Sequence, residues 1–221
     1  LYKITFKYWN RNWKTLDTLM KIGSHNSWSF ASTAWYIPRF TCKCQNLTID
    51  EQYKIGVRLF DLRLRLKDLY KWGVAHGSAY FKVDWREDLA WLNNKEDCYV
   101  RVTLEYNKEP EDYDLIEGLF TGYCKTLEDK FPNIKFFGGN RKWDWKRLYE
   151  FKNPDEPLID KYSSTTSWFK SKSKFLKIID DWWPWLYAKF HNEKTVKQYK
   201  LYGPSDKWLF IDFINENLCI E

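Results

Sequence analysis

The sequence predicts a single α/β domain built on a mostly parallel sheet. Three observations carry that reading. Short apolar runs of strand character alternate with stretches of helical periodicity. No Gly-, Pro- or Ser-rich linker and no internal repeat divides the 221 residues. No apolar run approaches the roughly 18 residues that a membrane-spanning helix needs. Alternating strands and helices imply a parallel sheet, and a chain of this length either closes it into a (β/α) barrel or leaves it open. In both cases chemistry gathers at the carboxyl ends of the strands. The whole chain, 1–221, is read as one domain.

Taken in order, the first signal is GSHNSW at 23–28, a histidine on a small, polar turn just after Leu19 and Met20. Thr48 with Glu51 three residues later is a capping box that opens a helix in TIDEQYKIG, 48–56. IGVRLFDLRLRL at 55–66 is the first long strand candidate. DCYVRVTLEYN at 97–107, EPLIDKY at 156–162 and KWLFIDFIN at 207–215 are the others. Helical spacing over 112–131 puts Leu115, Leu119, Tyr123 and Leu127 on one face, which is expected to meet the sheet. A looser version over 167–183 carries Trp168, Phe175, Ile178 and Ile179. After it, Pro184 among the tryptophans of DDWWPWLY (180–187) reads as a rim loop.

A net charge of +6 is a mild bias toward anionic partners, spread along the chain and without a nucleic-acid signature. Aromatics make up 20% of the residues, with 14 Trp, so some must fill the core while others suit a half-wet interface. The five cysteines are an odd number, which argues against a complete disulfide framework. Cys42-Lys43-Cys44 lacks zinc-ribbon spacing, which leaves buried free thiols or one bridge to a distant partner. No leader segment is evident, and a chain that begins at Leu1 reads as a mature or trimmed form.

Two of the three histidines share a setting. His76, in GVAHGS, also sits in a small-residue turn, whereas His191 in AKFHNEK reads as a surface histidine. Between the two turn histidines, strand alternation puts Asp61, Arg63 and Arg65 on one face and Phe60, Leu62 and Leu64 on the other. A carboxylate beside guanidiniums inside a sheet is costly unless paired, so a structural ion pair and a functional one are both open from this strand alone. Asp212 within LFIDFIN and Glu105 within VTLEYN pose the same problem on other strands, and a histidine is a good partner for such a carboxylate.

Taken together, KIGSHNSWSF, GVRLFDLRLR, VAHGSAYF and WLFIDFIN resemble, in order, the motifs of the phosphatidylinositol-specific phospholipase C X-domain family. They lie closest to its metal-independent bacterial type. The resemblance implies a distorted, TIM-type (β/α) barrel. It implies cleavage of the phosphodiester of phosphatidylinositol, or a related anionic phospholipid, to diacylglycerol and inositol 1,2-cyclic phosphate. On the matching positions, His25 resembles the general base and His76 the general acid. Asp61 resembles the carboxylate that works with that acid, Arg63 the arginine at the phosphoryl oxygens and Asp212 the aspartate that orients the base. LIDKYSS (158–164) is similar to the inositol-contacting segment, with Asp160 on ring hydroxyls and Tyr162 along the sugar, while 135–157 does not align cleanly. Asn26 and Glu105 are expected to line the substrate site.

Asn26 also departs from the bacterial pattern, where many members carry Asp. In eukaryotic members Asn at this position and Glu at 105 are calcium ligands, which makes Asn26, Asp61 and Glu105 the alternative, Ca²⁺-binding reading. Arg63 stands where those enzymes need another carboxylate, and a guanidinium there repels Ca²⁺. No cofactor is therefore expected. Trp182, Trp183 and Trp185, with Trp35 and Tyr36, are candidates for a membrane-facing rim. Lys172, Lys174 and Lys177 would attract anionic head groups nearby. The partner is expected to be a lipid at a membrane surface, met by a monomer that binds no nucleic acid and acts as a secreted, peripheral protein. A lipid-binding relative with little catalysis, or a phosphodiesterase for another head group, is the competing reading.

Overall fold

The computed structural model describes residues 21–33, 41–68, 71–106, 111–140, 183–202 and 207–219. Among them, in chain order, are β1 (Ile22–Ser24), a 3₁₀ turn (Ser27–Phe30), β2 (Ser32–Thr33), α1 (Ile49–Lys54), β3 (Val57–Asp68), β4 (Lys71–His76) and β5 (Ala79–Lys82). There follow α2 (Trp85–Leu92), β6 (Tyr99–Leu104), α3 (Tyr113–Lys130), β7 (Lys135–Asn140), α4 (Pro184–Tyr202), β8 (Leu209–Ile211) and α5 (Glu216–Cys219). The strand candidate at 156–162 and the helix over 167–183, except its last residue, lie outside the described residues.

Five strands run parallel in the order β8–β1–β3–β6–β7, each hydrogen-bonded to the next. This curled sheet, with helices packed against it, is a distorted α/β barrel. β3 is long enough to do two jobs. Its first part pairs in parallel with β1 and β6, and beyond Leu64 it also forms an antiparallel hairpin with β4. β5 and the short β2 extend that antiparallel flap. The flap departs from the expected plain alternation of strand and helix.

Strand alternation separates two cores. Phe60, Leu62 and Leu64 of β3 and Val100, Val102 and Leu104 of β6 are buried with Leu89, Leu92, Phe120, Cys124 and Leu127 of the helices. On the opposite face, Leu59, Phe137, Trp208 and Phe210 form a second apolar cluster. Two residues beyond Leu59 on this face comes Asp61 beside Arg101, and two further on Arg63 beside Thr103. The second cluster is thus a dry floor on which the charged layer stands.

α1 is capped as expected: the Thr48 side chain accepts from the Glu51 N–H, and the Glu51 carboxylate accepts from the Thr48 N–H. α3 also forms as expected, but its buried face is turned. Leu127 is buried and Leu119 and Tyr123 pack half-buried against the core as expected, but Leu115 is 64% exposed and Phe120 and Cys124 are the more deeply buried row. The spacing alone did not distinguish Phe120 and Cys124 from the neighbouring row. The loop expected at 180–187 is also corrected from Pro184 on. Pro184 opens α4, a position where its missing N–H costs no helical hydrogen bond.

Gly23 passes between the floor residues just before His25. A Cβ there would lie 2.8 Å from Phe210 Cδ2 and 3.1 Å from Leu59 Cβ. Gly23→Ala is therefore expected to lower stability by about 1–3 kcal/mol, the usual effect of overpacking. A denaturant titration checks this, and an unchanged midpoint would contradict the packing described.

Candidate active site

The turn that holds the first histidine is buried, not solvated. Ser24, His25, Asn26 and Ser27 are each 1% exposed or less. The small side chains make this possible. The Ser27 hydroxyl donates to the Ser24 carbonyl at 2.8 Å and accepts the Asp61 N–H at 2.7 Å, which ties the turn to β3. Asn26 takes a left-handed backbone, φ 47°, which asparagine tolerates better than most residues. Its N–H donates to Asp61 Oδ2 at 2.9 Å.

His25 stands between an acid and a cation. Its Nδ1 lies 2.6 Å from Asp212 Oδ1, so that nitrogen carries the proton and donates it. Its Nε2 lies 2.5 Å from Arg63 Nη2, which can only donate, so Nε2 presents a lone pair. Asp212 sits at the end of β8, just before Phe213, whose φ of 47° is unusual for a bulky side chain. The Phe213 N–H donates to the Cys44 carbonyl at 2.6 Å, holding this sharp turn beside the site.

Asp61 is the hub of the charged layer and is fully buried. It accepts from Arg63 Nε at 2.8 Å, Arg101 Nη1 at 3.2 Å and the Asn26 N–H. Burial by itself raises its carboxyl pKa. The Arg63 and Arg101 guanidiniums outweigh that and hold it well below the usual carboxylate range. Burial depresses Arg101 to about 10 against the pull of Asp61. Arg63 spans two acids, with Nη1 also 3.2 Å from Glu105 Oε2.

His76 ends β4, with its ring centroid 6.3 Å from that of His25 and the two planes at 87°. Its Nδ1 donates to the Cys42 carbonyl at 2.8 Å. Asp61 was expected to work with this histidine. The Asp61 oxygens are taken by Arg63, Arg101, Thr103 and the Asn26 N–H. The carboxylate near His76 is Glu105, which accepts the Gly77 N–H at 2.9 Å and draws the imidazole toward its charged form. Burial outweighs that pull and leaves His76 below its ordinary pKa. Arg65 lies off the charged layer, donating to the Gly77 and Ser78 carbonyls and stacking on Tyr80.

The structure thus brings His25, Asn26, Asp61, Arg63, His76, Glu105 and Asp212 into one cluster. Asp160, Tyr162, Trp35, Tyr36 and Trp182 lie outside the described residues. Trp183 and Trp185 are exposed, at 37% and 46%, where α4 begins. His191 is half-buried against Tyr187 instead of fully exposed. Cys42, Cys44, Cys98 and Cys124 are free thiols.

Three members of the cluster were missed from the sequence. Arg101 shares a strand face with Thr103 and Glu105, and an arginine in an apolar strand was a readable signal. Gln45 donates to the His25 and Ile211 carbonyls and accepts the Ile214 N–H, stapling the ends of β1 and β8. Cys44 places its sulfur 3.9 Å from both Asn26 Nδ2 and His76 Nδ1. Nothing in the local sequence marks either residue.

No protein-family model matches this chain, and no curated protein matches it significantly. Solved structures do. The phosphatidylinositol-specific phospholipase C of Listeria monocytogenes superposes with a TM-score of 0.57 at 16% identity, covering 91% of each chain. A Staphylococcus aureus phosphatidylinositol-specific phospholipase C, from a study of its membrane binding, gives 0.52 at 18% identity over 90% of this chain and 89% of that one. A point mutant of the S. aureus enzyme gives 0.54 at 17%, over 89% and 86%. At this level of identity the likeness establishes the barrel fold, and the chemistry must be argued from the site.

Two outcomes follow from the electrostatics. Asp61→Asn leaves two buried guanidiniums without their shared anion and is expected to cost about 3–5 kcal/mol in a urea titration. The fold favours neutral His76, so this contribution to stability is complete above the unfolded value of about 6.5 and is lost as pH falls below it. The wild-type melting temperature should therefore fall more steeply than that of His76→Gln between about pH 7 and pH 5.5. Parallel curves would contradict this.

Proposed function

We propose that this chain is a phosphatidylinositol-type phospholipase C that works without a metal ion. One observation carries the proposal. The His25–Asp212 pair, with Arg63 at the free nitrogen of the base, faces a second imidazole across a gap of one small group. His25 Nε2 takes the proton of the inositol 2-hydroxyl, and Asp212 stabilises the imidazolium that results. The 2-oxygen attacks phosphorus, and the bond to the glycerol oxygen breaks. His76 Nε2 protonates that oxygen as diacylglycerol leaves, while its Nδ1–H stays on the Cys42 carbonyl. Arg63 turns its outer N–H groups from His25 to the phosphoryl oxygens, where charge develops. The product is inositol 1,2-cyclic phosphate, and the same histidines in exchanged roles serve its hydrolysis.

With both imidazoles neutral the cluster carries one excess negative charge, so an anionic substrate must be accompanied by uptake of a proton. Three carboxylates, Asp61, Glu105 and Asp212, stand against two guanidiniums, Arg63 and Arg101. A phosphodiester beside His76 favours the imidazolium, which counters the effect of burial and supplies the acid when substrate is bound. Calcium at Asn26, Asp61 and Glu105 fits poorly. Arg63 donates to both carboxylates, and a hard cation would have to displace it.

α4 runs antiparallel to β8: Asn192 donates to the Asp212 carbonyl at one end and Tyr199 to the Lys207 carbonyl at the other. Exposed Trp183 and Trp185 therefore stand at the catalytic end of the barrel. We assign them, with Trp35, Tyr36 and Trp182, to a rim that meets the lipid surface, and Asp160 and Tyr162 to the inositol ring. No helix among the described residues is long and apolar enough to cross a membrane. A secreted monomer acting on a bilayer from one side suits this arrangement.

His25→Ala and His76→Ala should each reduce diacylglycerol release from phosphatidylinositol vesicles by at least about 100-fold. EGTA should leave the wild-type rate unchanged. Phosphorus NMR should show a five-membered cyclic phosphate. Wild-type turnover in either variant would refute the roles assigned, and activity lost in EGTA and restored by Ca²⁺ would refute the metal-free reading.

A further inference from the structure

Cys44 has no part in the chemistry above, yet it lies inside the site. Its Sγ, one ligand atom of His25 and one of Asp212 all lie within 4.8 Å of one another, and all three residues are buried. Sulfur, imidazole nitrogen and carboxylate oxygen are the donors that Zn²⁺ selects, at roughly 2.0–2.3 Å each. A second observation points into the same place. Asn26 is fully buried and its Oδ1 has no hydrogen-bond partner, while its Nδ2 sits 3.9 Å from the Cys44 sulfur. Turning the Asn26 amide over would bring this unsatisfied oxygen to the place where Nδ2 now faces the thiol, a position that a bound cation would complete.

We propose that Cys44, His25 and Asp212 form an inhibitory site for Zn²⁺, with Asn26 Oδ1 as the fourth donor. The cation inserts between His25 Nδ1 and Asp212, whose present 2.6 Å separation widens to about the 3.3–3.8 Å that tetrahedral coordination sets. It approaches past Arg63 and His76, which keep some exposure. The site differs from the calcium reading, because it leaves Asp61 and Glu105 with Arg63.

Protons and charges balance. The Cys44 S–H bond breaks and its proton goes to solvent. The proton on His25 Nδ1 is replaced by the metal, and one proton is taken up at Nε2, so that the imidazole stays neutral. One proton is released per cation. Among the described residues the cluster is one charge negative with both imidazoles neutral, and a dication with one thiolate brings it to neutral. The consequence for function rests on the phospholipase reading. Nε2 changes from acceptor to donor, so the base loses its lone pair and the Arg63 N–H is driven away.

The test is a cobalt titration of the full, metal-free chain, which needs no activity. Co²⁺ should give visible bands of a tetrahedral ion and a near-ultraviolet thiolate-to-cobalt band, both abolished by added Zn²⁺. Cys44→Ser should lose the thiolate band, Asp212→Asn should keep it with affinity weakened at least about tenfold, and Cys42→Ser should match the wild type. Circular dichroism shows whether each variant is folded. If Cys44→Ser does not fold, the comparison of Asp212→Asn with Cys42→Ser decides. No thiolate band in the wild type, an unchanged band in Cys44→Ser, or equal affinity in Asp212→Asn overturns the site. In vesicle assays Zn²⁺ should inhibit lipid cleavage and EDTA should restore it. A cobalt site without inhibition would keep the metal site and overturn its inhibitory role, whereas no lipid cleavage under any condition would count against the phospholipase reading alone.

Discussion

The charged layer depends on one buried carboxylate. Asp61 accepts from Arg63, from Arg101 and from the backbone of Asn26, so a single side chain joins β3, β6 and the turn after β1. An unpaired carboxylate in such a place would protonate or unfold the sheet. Two guanidiniums keep it ionised, and it in turn fixes where they point. Arg63 is thereby aimed at His25, and Asn26 is fixed in its left-handed turn. The buried ion pairs are weak evidence of stability, since similar apolar packing would hold the barrel as well. What they supply is position.

The apolar floor makes that positioning possible. Leu59, Phe137, Trp208 and Phe210 exclude water beneath the ions, so each charge meets a fixed partner instead of solvent. Gln45 then draws the ends of β1 and β8 together, which brings His25 to Asp212 although 187 positions separate them in the chain. With both imidazoles neutral, the site so built carries one excess negative charge. It does not hold an anion by excess positive charge, and an arriving anion would favour the charged form of His76. On the proposed reading, substrate binding and protonation of His76 are accordingly one linked event.

Much of this was legible in the sequence where two-residue periodicity carried it. Alternation along β3 put Asp61 and Arg63 on one face and Phe60, Leu62 and Leu64 on the other, and the structure has that division. The capping box at Thr48 was equally local and equally readable. The partnership of Asp61 was not, because Arg101 and Glu105 arrive from another strand whose register the sequence does not state. The flap of β4 and β5 was passed over for a similar reason, since its turn at Gly77 and Ser78 was read as a setting for His76. In α3 two adjacent apolar rows competed, and burial chose the one with Phe120 and Cys124. Gln45 and Cys44 are unreadable in principle, as their roles come from a loop folding back over strand ends.

The central claim is that His25 keeps its proton on Nδ1, toward Asp212, and offers a lone pair at Nε2. With three histidines in the chain, nitrogen-15 NMR of the imidazoles resolves this directly. The account predicts, for free protein above the imidazole range, a protonated Nδ1 with a far-downfield proton and an unprotonated Nε2 at His25. A proton found on Nε2 would contradict it.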